Sequence, residues 1–302
     1  MLPFARITII GIGLIGSSIA RAVRAEMPTV RLTGYDADSD VRATADRLQL
    51  FDDVPDTAGA SVTDADLVIF CVPVGAMGAA AAEIASDLPA DAIVSDVGSC
   101  KAEVVRALAE ALPGATIIPA HPVAGTERSG PEAGFATLFH GRWCIVTPPE
   151  GADAVAVERV SEFWRRLGAE IEIMAPDHHD RVLAITSHLP HLIAYTIVGT
   201  ASDMEEVTRS EVIKYSAGGF RDFTRIAASD PTMWRDVFLA NREAVLDMLQ
   251  RFSEDLSALQ RAIRWGKGDE LFDLFTKTRA IRRGIIEQGQ DDPAPDFGRT
   301  HD

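Results

Sequence analysis

A histidine closing an apolar run is the first residue of this chain whose type and place suggest chemistry. In IIPAHPVAGTERSG, residues 117 to 130, His121 ends a strand-like stretch and is followed by a proline and a loop of small and charged residues. An imidazole that titrates near pH ~6.5 can take a proton at neutral pH. Residue type leaves two readings open: a general base, or a polar strand end before a turn. A second strand-like run, VSDVGSCK, ends in Asp96, Ser99 and Lys101. Ser99 suits an N-cap of the next helix as well as a functional role. Lys101 suits either a solvated first turn or a phosphate contact.

A third feature carries more information. GIGLIG (Gly11, Gly13, Leu14, Ile15, Gly16) follows the first strand-like run and opens a helical one. In that context the first glycine permits a tight turn, the second lets a pyrophosphate approach the backbone, and the third lets helix and strand pack closely. The helix start supplies N–H groups and a positive dipole end. Asp36 ends the next strand, 20 residues after Gly16, where a carboxylate accepts both hydroxyls of an adenosine ribose. An anion there repels a 2′-phosphate, so NAD is expected rather than NADP. Arg42, close by, reads as part of a solvated helix face. Pro73, at the end of ADLVIFCVP, is expected to run beside the cofactor.

These residues need a frame, and residues 1 to 176 supply one. Strand candidates RITIIG, VRLTGYD, ADLVIFCVP, DAIVSDVG, ATIIPAHP, WCIVTPP and EIEIMAP alternate with helix-period stretches such as Leu14–Glu26 and Lys101–Leu112. Near-continuous apolar strands alternating with helices predict an α/β domain, a Rossmann-type parallel sheet covered on both faces. Ligands of such sheets sit beyond the carboxyl ends of the strands, which places Ser99 and His121 on one rim. From residue 177 the β signal ends. An all-α domain is expected over 177–290, with a kink at Pro190, a break at GGF (218–220) and one long helix from Pro231 to Trp265. A last helix is expected over 269–288. Residues 291–302, acidic and proline-bearing, are expected to be disordered.

Composition narrows the class. The 302 residues are 47% hydrophobic and carry a net charge of −16, which disfavours nucleic acid as a partner. Three cysteines in apolar runs suit a reducing compartment. The chain enters a strand at once, leaving no room for a signal peptide, and no stretch reaches about 18 uninterrupted apolar residues. The expectation is a cytoplasmic protein with no membrane association.

DVGSCK, HPVAGTERSG, SHLPH and GGFRDFTRIAASDPTMWRD, in this order after GxGxxG, resemble the prephenate/arogenate (cyclohexadienyl) dehydrogenases of tyrosine biosynthesis over residues 6 to 288. The length is that of the short bacterial members, without a fused chorismate mutase or C-terminal regulatory domain. The resemblance implies NAD-dependent oxidative decarboxylation, with His121 as the base and Ser99 orienting it. It implies that Arg225 binds a substrate carboxylate, and that His191, Thr126, Glu127 and Trp234 line or gate the pocket. It also implies an intertwined homodimer and tyrosine as a competing ligand. Cys100 stands where an aliphatic residue is expected, facing the core.

Rival readings fare worse. His178–His179 and His188/His191 could suggest zinc, but no Cys or Glu stands at ligand spacing and the reaction needs no metal. The β-hydroxyacid dehydrogenases share the two-part plan but use a lysine early in the helical part. Residues 177–203 hold four histidines and no lysine. A non-catalytic nucleotide sensor would not need the arginine and histidine motifs. His188 is expected to be an N–H donor in the helical core. The apolar positions from Trp234 to Ile263 fall at three- and four-residue steps, a face that needs a partner.

Overall fold

The computed structural model describes residues 2–126, 128–203 and 218–287. By internal contacts the chain forms two compact units, residues 1–246 and 247–302. Glu127 and the tail 291–302 lie outside the described residues.

In the first unit, strands β1 (Arg6–Ile10), β2 (Arg31–Tyr35), β3 (Leu67–Phe70), β4 (Ile93–Asp96) and β5 (Thr116–Ile117) form one parallel sheet in the order β2-β1-β3-β4-β5. Side chains alternate across it. Ile7, Ile9, Leu67 and Ile69 join the core on one face, with Ile19 and Val23 of helix α1 (Leu14–Glu26). Ile10, Val68, Phe70 and Val94 join the core on the other. Burial on both faces explains why these strands read as continuous apolar runs.

The stretch expected as one strand at ATIIPAHP is two. Ile118 N still bonds to Val94 O (2.8 Å), but Pro119 has no N–H for the ladder, and the chain leaves the parallel sheet there. Strand β6 (Ala120–Pro122) pairs antiparallel with β7 (Trp143–Val146), which pairs parallel with β8 (Glu170–Ile173). His121 therefore lies within a second, three-stranded sheet rather than at the end of the first.

After β8 the described residues are helical. Helix α7 (Pro176–Leu183) passes through a π turn (Ala184–His188) into α8 (Leu189–Ser202). Pro190 has no N–H for the carbonyl four residues before it, and the ladder widens just ahead of it. The run Pro176–Ser202 is long and apolar enough to cross a membrane by length and composition only, although charged and histidine residues interrupt it. It also carries buried His179, Asp180 and His188. The GGF residues lie in a helix, Gly218–Thr224, and residues 204–217, just before the expected break, lie outside the described residues. The expected single helix from Pro231 is interrupted at Asn241 (φ −104°, ψ 34°), between helices Pro231–Ala240 and Arg242–Arg264. There the Asn241 amide donates to Asp180 O at 2.8 Å, a tertiary bond that a straight helix would forgo.

The second unit contains the rest of that helix and Gly268–Glu287. Ile263, Trp265, Phe272, Phe275 and Ile281 are exposed on it.

Candidate active site

The glycine turn has the geometry its spacing predicts. Gly11 has φ +97°, and a Cβ there would lie 2.7 Å from the Cys71 carbonyl group. A Cβ on Gly16 would lie 2.1 Å from Gly11 O, whereas one on Gly13 would meet nothing within 4 Å. The first and third glycines thus serve packing, and the second leaves space for a ligand. Leu14 and Ile15 open α1, whose first turn has no acidic residue and no side-chain cap, so its positive end suits a phosphate. Asp36 follows β2; its Oδ2 accepts from Ile12 N at 2.8 Å and its Oδ1 from Asp38 N at 3.0 Å. Each carboxylate oxygen keeps a further lone pair for a ribose hydroxyl. These residues fit a dinucleotide. Pro73 lies exposed just beyond β3.

Arg42 is not on a solvated face. Its Nη1 donates to Asp36 O at 2.8 Å, and its guanidinium lies 5.6 Å from the centroid of the Tyr35 ring. Folded back on this strand end, it supports the segment that presents Asp36.

Lys101 also departs from both expectations, since it is fully buried. Its Nζ donates to Asp96 Oδ2 at 2.5 Å and to Ala120 O at 2.8 Å, tying β4 to the residue before His121. Burial pushes the Asp96 carboxyl up, against the pull of the Lys101 ammonium. The Lys101 Nζ and the Gly98 N–H (2.7 Å) both donate to Oδ2, the arrangement of a charge-assisted pair.

His121 is buried, and its Nδ1 lies 2.9 Å from His179 Nε2. His179 Nδ1 lies 2.8 Å from Asp180 Oδ1. Asp180 accepts from Lys101 N (2.8 Å) and Ala102 N (3.0 Å) at the start of helix α5 (Ala102–Ala111). Burial, then the neighbouring His179, Lys101 and His188, push His121 well below the ordinary histidine range, so it is neutral at pH 7. Burial also lowers His179, although Asp180 opposes this. The ring of the expected base is thus held by His179, which spacing had suggested only as a metal ligand, and not by Ser99. Ser99 lies half-buried beyond β4.

A second group sits beside the first. His191 stacks on Trp234 with ring centroids 3.7 Å apart, and its Nδ1 faces Ser187 O at 2.9 Å. Burial and then the Arg225 charge lower its pKa, which puts Arg225 in the same neighbourhood. Trp234 packs on buried Cys100 and Val237, so Cys100 does face the core. His188 lies edge-on to Trp234, and its Nδ1 accepts from Asn241 at 3.1 Å; its bonded nitrogen is an acceptor rather than the expected donor. Thr126 is exposed on the loop after β6, its hydroxyl accepting from Arg128 N at 3.2 Å, and it bonds to neither group. Among the described residues no group of three metal-ligating side chains converges.

Two family models match the chain. The nucleotide-binding domain of prephenate dehydrogenase matches residues 19–173, and the dimerization domain of prephenate dehydrogenase matches residues 175–277. A cyclohexadienyl dehydrogenase of Zymomonas mobilis is 46% identical, over 94% of this chain and 97% of its own. A prephenate dehydrogenase of Bacillus subtilis is 33% identical, over 92% of this chain and 76% of its own. Among solved structures, prephenate dehydrogenase from A. aeolicus, in complex with hydroxyphenyl propionate and NAD+, superposes with a TM-score of 0.87 at 34% identity, covering 94% of this chain and 98% of its own.

Proposed function

The chain belongs to the prephenate dehydrogenase family, and from that premise we propose that it converts prephenate, L-arogenate or both by NAD-dependent oxidative decarboxylation. The observation that carries this reading is the joining, in one compact unit, of a buried, neutral His121 and a glycine turn fit for a dinucleotide. The substrate is a cyclohexadiene with a ring hydroxyl at C4 and a quaternary carboxylate opposite. NAD, when bound, supplies the hydride acceptor. His121 takes the hydroxyl proton as the hydride leaves C4. The ring carbonyl so formed is conjugated to the carbon bearing the carboxylate and draws the electrons released with CO₂. The ring becomes aromatic, and His121 returns its proton to the phenolic oxygen.

Other residues bind and orient. We assign Arg225 to a substrate carboxylate, for which a guanidinium is geometrically suited. We place His191, Trp234, Thr126 and Glu127 around the substrate, and Ser99 against the hydroxyl and nicotinamide rather than behind the base. We further propose that residues 1–176 form the cofactor domain and 177–290 the substrate and dimerisation domain of a cytoplasmic homodimer, with tyrosine competing for the substrate pocket.

NADH formation with each substrate, with NAD⁺ and NADP⁺ in turn, tests this. Turnover with NAD⁺ is expected for at least one substrate, falling by about 10²–10⁴-fold in His121→Asn. Preference for NADP⁺ would overturn the role of Asp36. No turnover in any arm would refute the activity.

A further inference from the structure

A neutral imidazole is a base only at the nitrogen that lacks a proton, and something must decide which one that is. Around His121 the decision can be followed outward to a group with no choice. Burial pushes the Asp180 carboxyl up, but the His179 ring and two backbone N–H groups outweigh it and hold the group below the ordinary carboxylate range, so Asp180 is an acceptor only. Facing it at 2.8 Å, His179 Nδ1 must therefore carry hydrogen. In a neutral ring that leaves His179 Nε2 with a lone pair. His121 Nδ1, 2.9 Å from that lone pair, must in turn be the donor. The outcome is a bare Nε2 on His121, the form needed to accept a proton.

We propose that His179 and Asp180 are positioning residues that fix the tautomer of His121 and stabilise the imidazolium formed when it accepts the substrate proton. This deepens the dehydrogenase reading and rests on His121 as its base. Asp180 is itself fixed by the backbone of Lys101 and Ala102, one oxygen to each N–H, so the register originates where VSDVGSCK turns into α5. The charged and titratable groups around His121 are Asp96 from β4, Lys101 from the turn after it and Cys144 from β7. His179 and Asp180 from α7 and His188 from the π turn join them among the described residues. Among the described residues, Asp180 is the one bonded so as to answer a proton arriving through this pair of rings.

Two readouts on the full chain test the proposal. Imidazole ¹⁵N shifts, which need no turnover, should show hydrogen on Nδ1 of both His121 and His179 at neutral pH. Hydrogen on Nε2 of His121 would overturn the proposal whatever the activity. Kinetically, Asp180→Asn should lower kcat by about 10²–10⁴-fold with little change in KM, and should move the acid limb of kcat/KM to lower pH, because the imidazolium loses its counter-charge. A merely structural role would lower activity without moving the limb, and that result would also overturn it. Because Asp180→Asn could fail to fold, His179→Gln and His179→Leu provide a second pair. The Gln carbonyl can still accept from His121 Nδ1, so the proposal requires Gln to retain at least roughly tenfold more kcat than Leu; equal losses would refute it. Should His121→Asn retain wild-type turnover, the base assignment fails, while the ¹⁵N result still reports the tautomers.

Discussion

The glycine turn at 11–16 and the proposed base, His121, are built in opposite ways. The turn works through missing side chains: two glycines let backbone touch backbone, and Gly13 leaves open space. The base works through side chains that all touch, from Asp96 and Lys101 across to His121, His179 and Asp180. A site for a large anionic ligand needs room and N–H groups. A site that must hold one proton needs every neighbouring donor and acceptor assigned.

Breaking the closed side should therefore cost more than adding to the open one. Lys101→Met strands a buried carboxylate, and unfolding by denaturant should show a loss of about 3–5 kcal/mol. Adding Asp96→Asn should recover part of it; no recovery would mean that the ion pair is not what Lys101 contributes.

The buried histidines make a second difference, along the pH axis. His188 is lowered to about 4 from 6.5 by burial, and His121 and His179 are lowered as well. Between pH 6.5 and about 4 the unfolded chain binds a proton at the His188 position that the native ring excludes. Stability should fall as pH drops through that window, by up to about 1.4 kcal/mol per pH unit for each such ring. His188→Gln should flatten the slope by one proton, and an unchanged slope would assign the pH dependence elsewhere.

Within the turn itself the glycines should divide. Gly16→Ala, with its Cβ driven against Gly11 O, should lose about 1–3 kcal/mol. Gly13→Ala should change stability by less than about 0.5 kcal/mol yet weaken NAD⁺ at least roughly tenfold, or about 1.4 kcal/mol in a titration. If the two variants behave alike, the division of labour between them is wrong.

The same contrast decides what could be read from the sequence. The turn is contiguous, so six letters between a strand and a helix carried its meaning. Asp36 stood at a distance set by one strand–helix–strand unit. The cluster around His121 is gathered from three separated segments, and only its centre, His121, was legible, through motifs rather than through spacing. Lys101 was misplaced because position in a first turn does not tell which way a side chain faces. Arg42 was misplaced for the same reason. His179 and Asp180 did leave a signal: they share a helical face with Leu183 and Ala184, all buried, and a carboxylate on an apolar face demands donors. Asn241 was hidden inside an apolar periodicity that continued on either side of it.

Pro119 has one more consequence. Val94 of the first sheet holds the amide just before it, and Thr147, just past β7, donates to its carbonyl at 2.9 Å. The proposed base sits two residues further on. His121 is thus strung across a seam, its backbone anchored on both banks, and it cannot keep its place if the sheets drift apart. Any breathing motion that opens the seam would carry the imidazole with it, so under the proposed mechanism turnover gauges how firmly the two sheets stay docked.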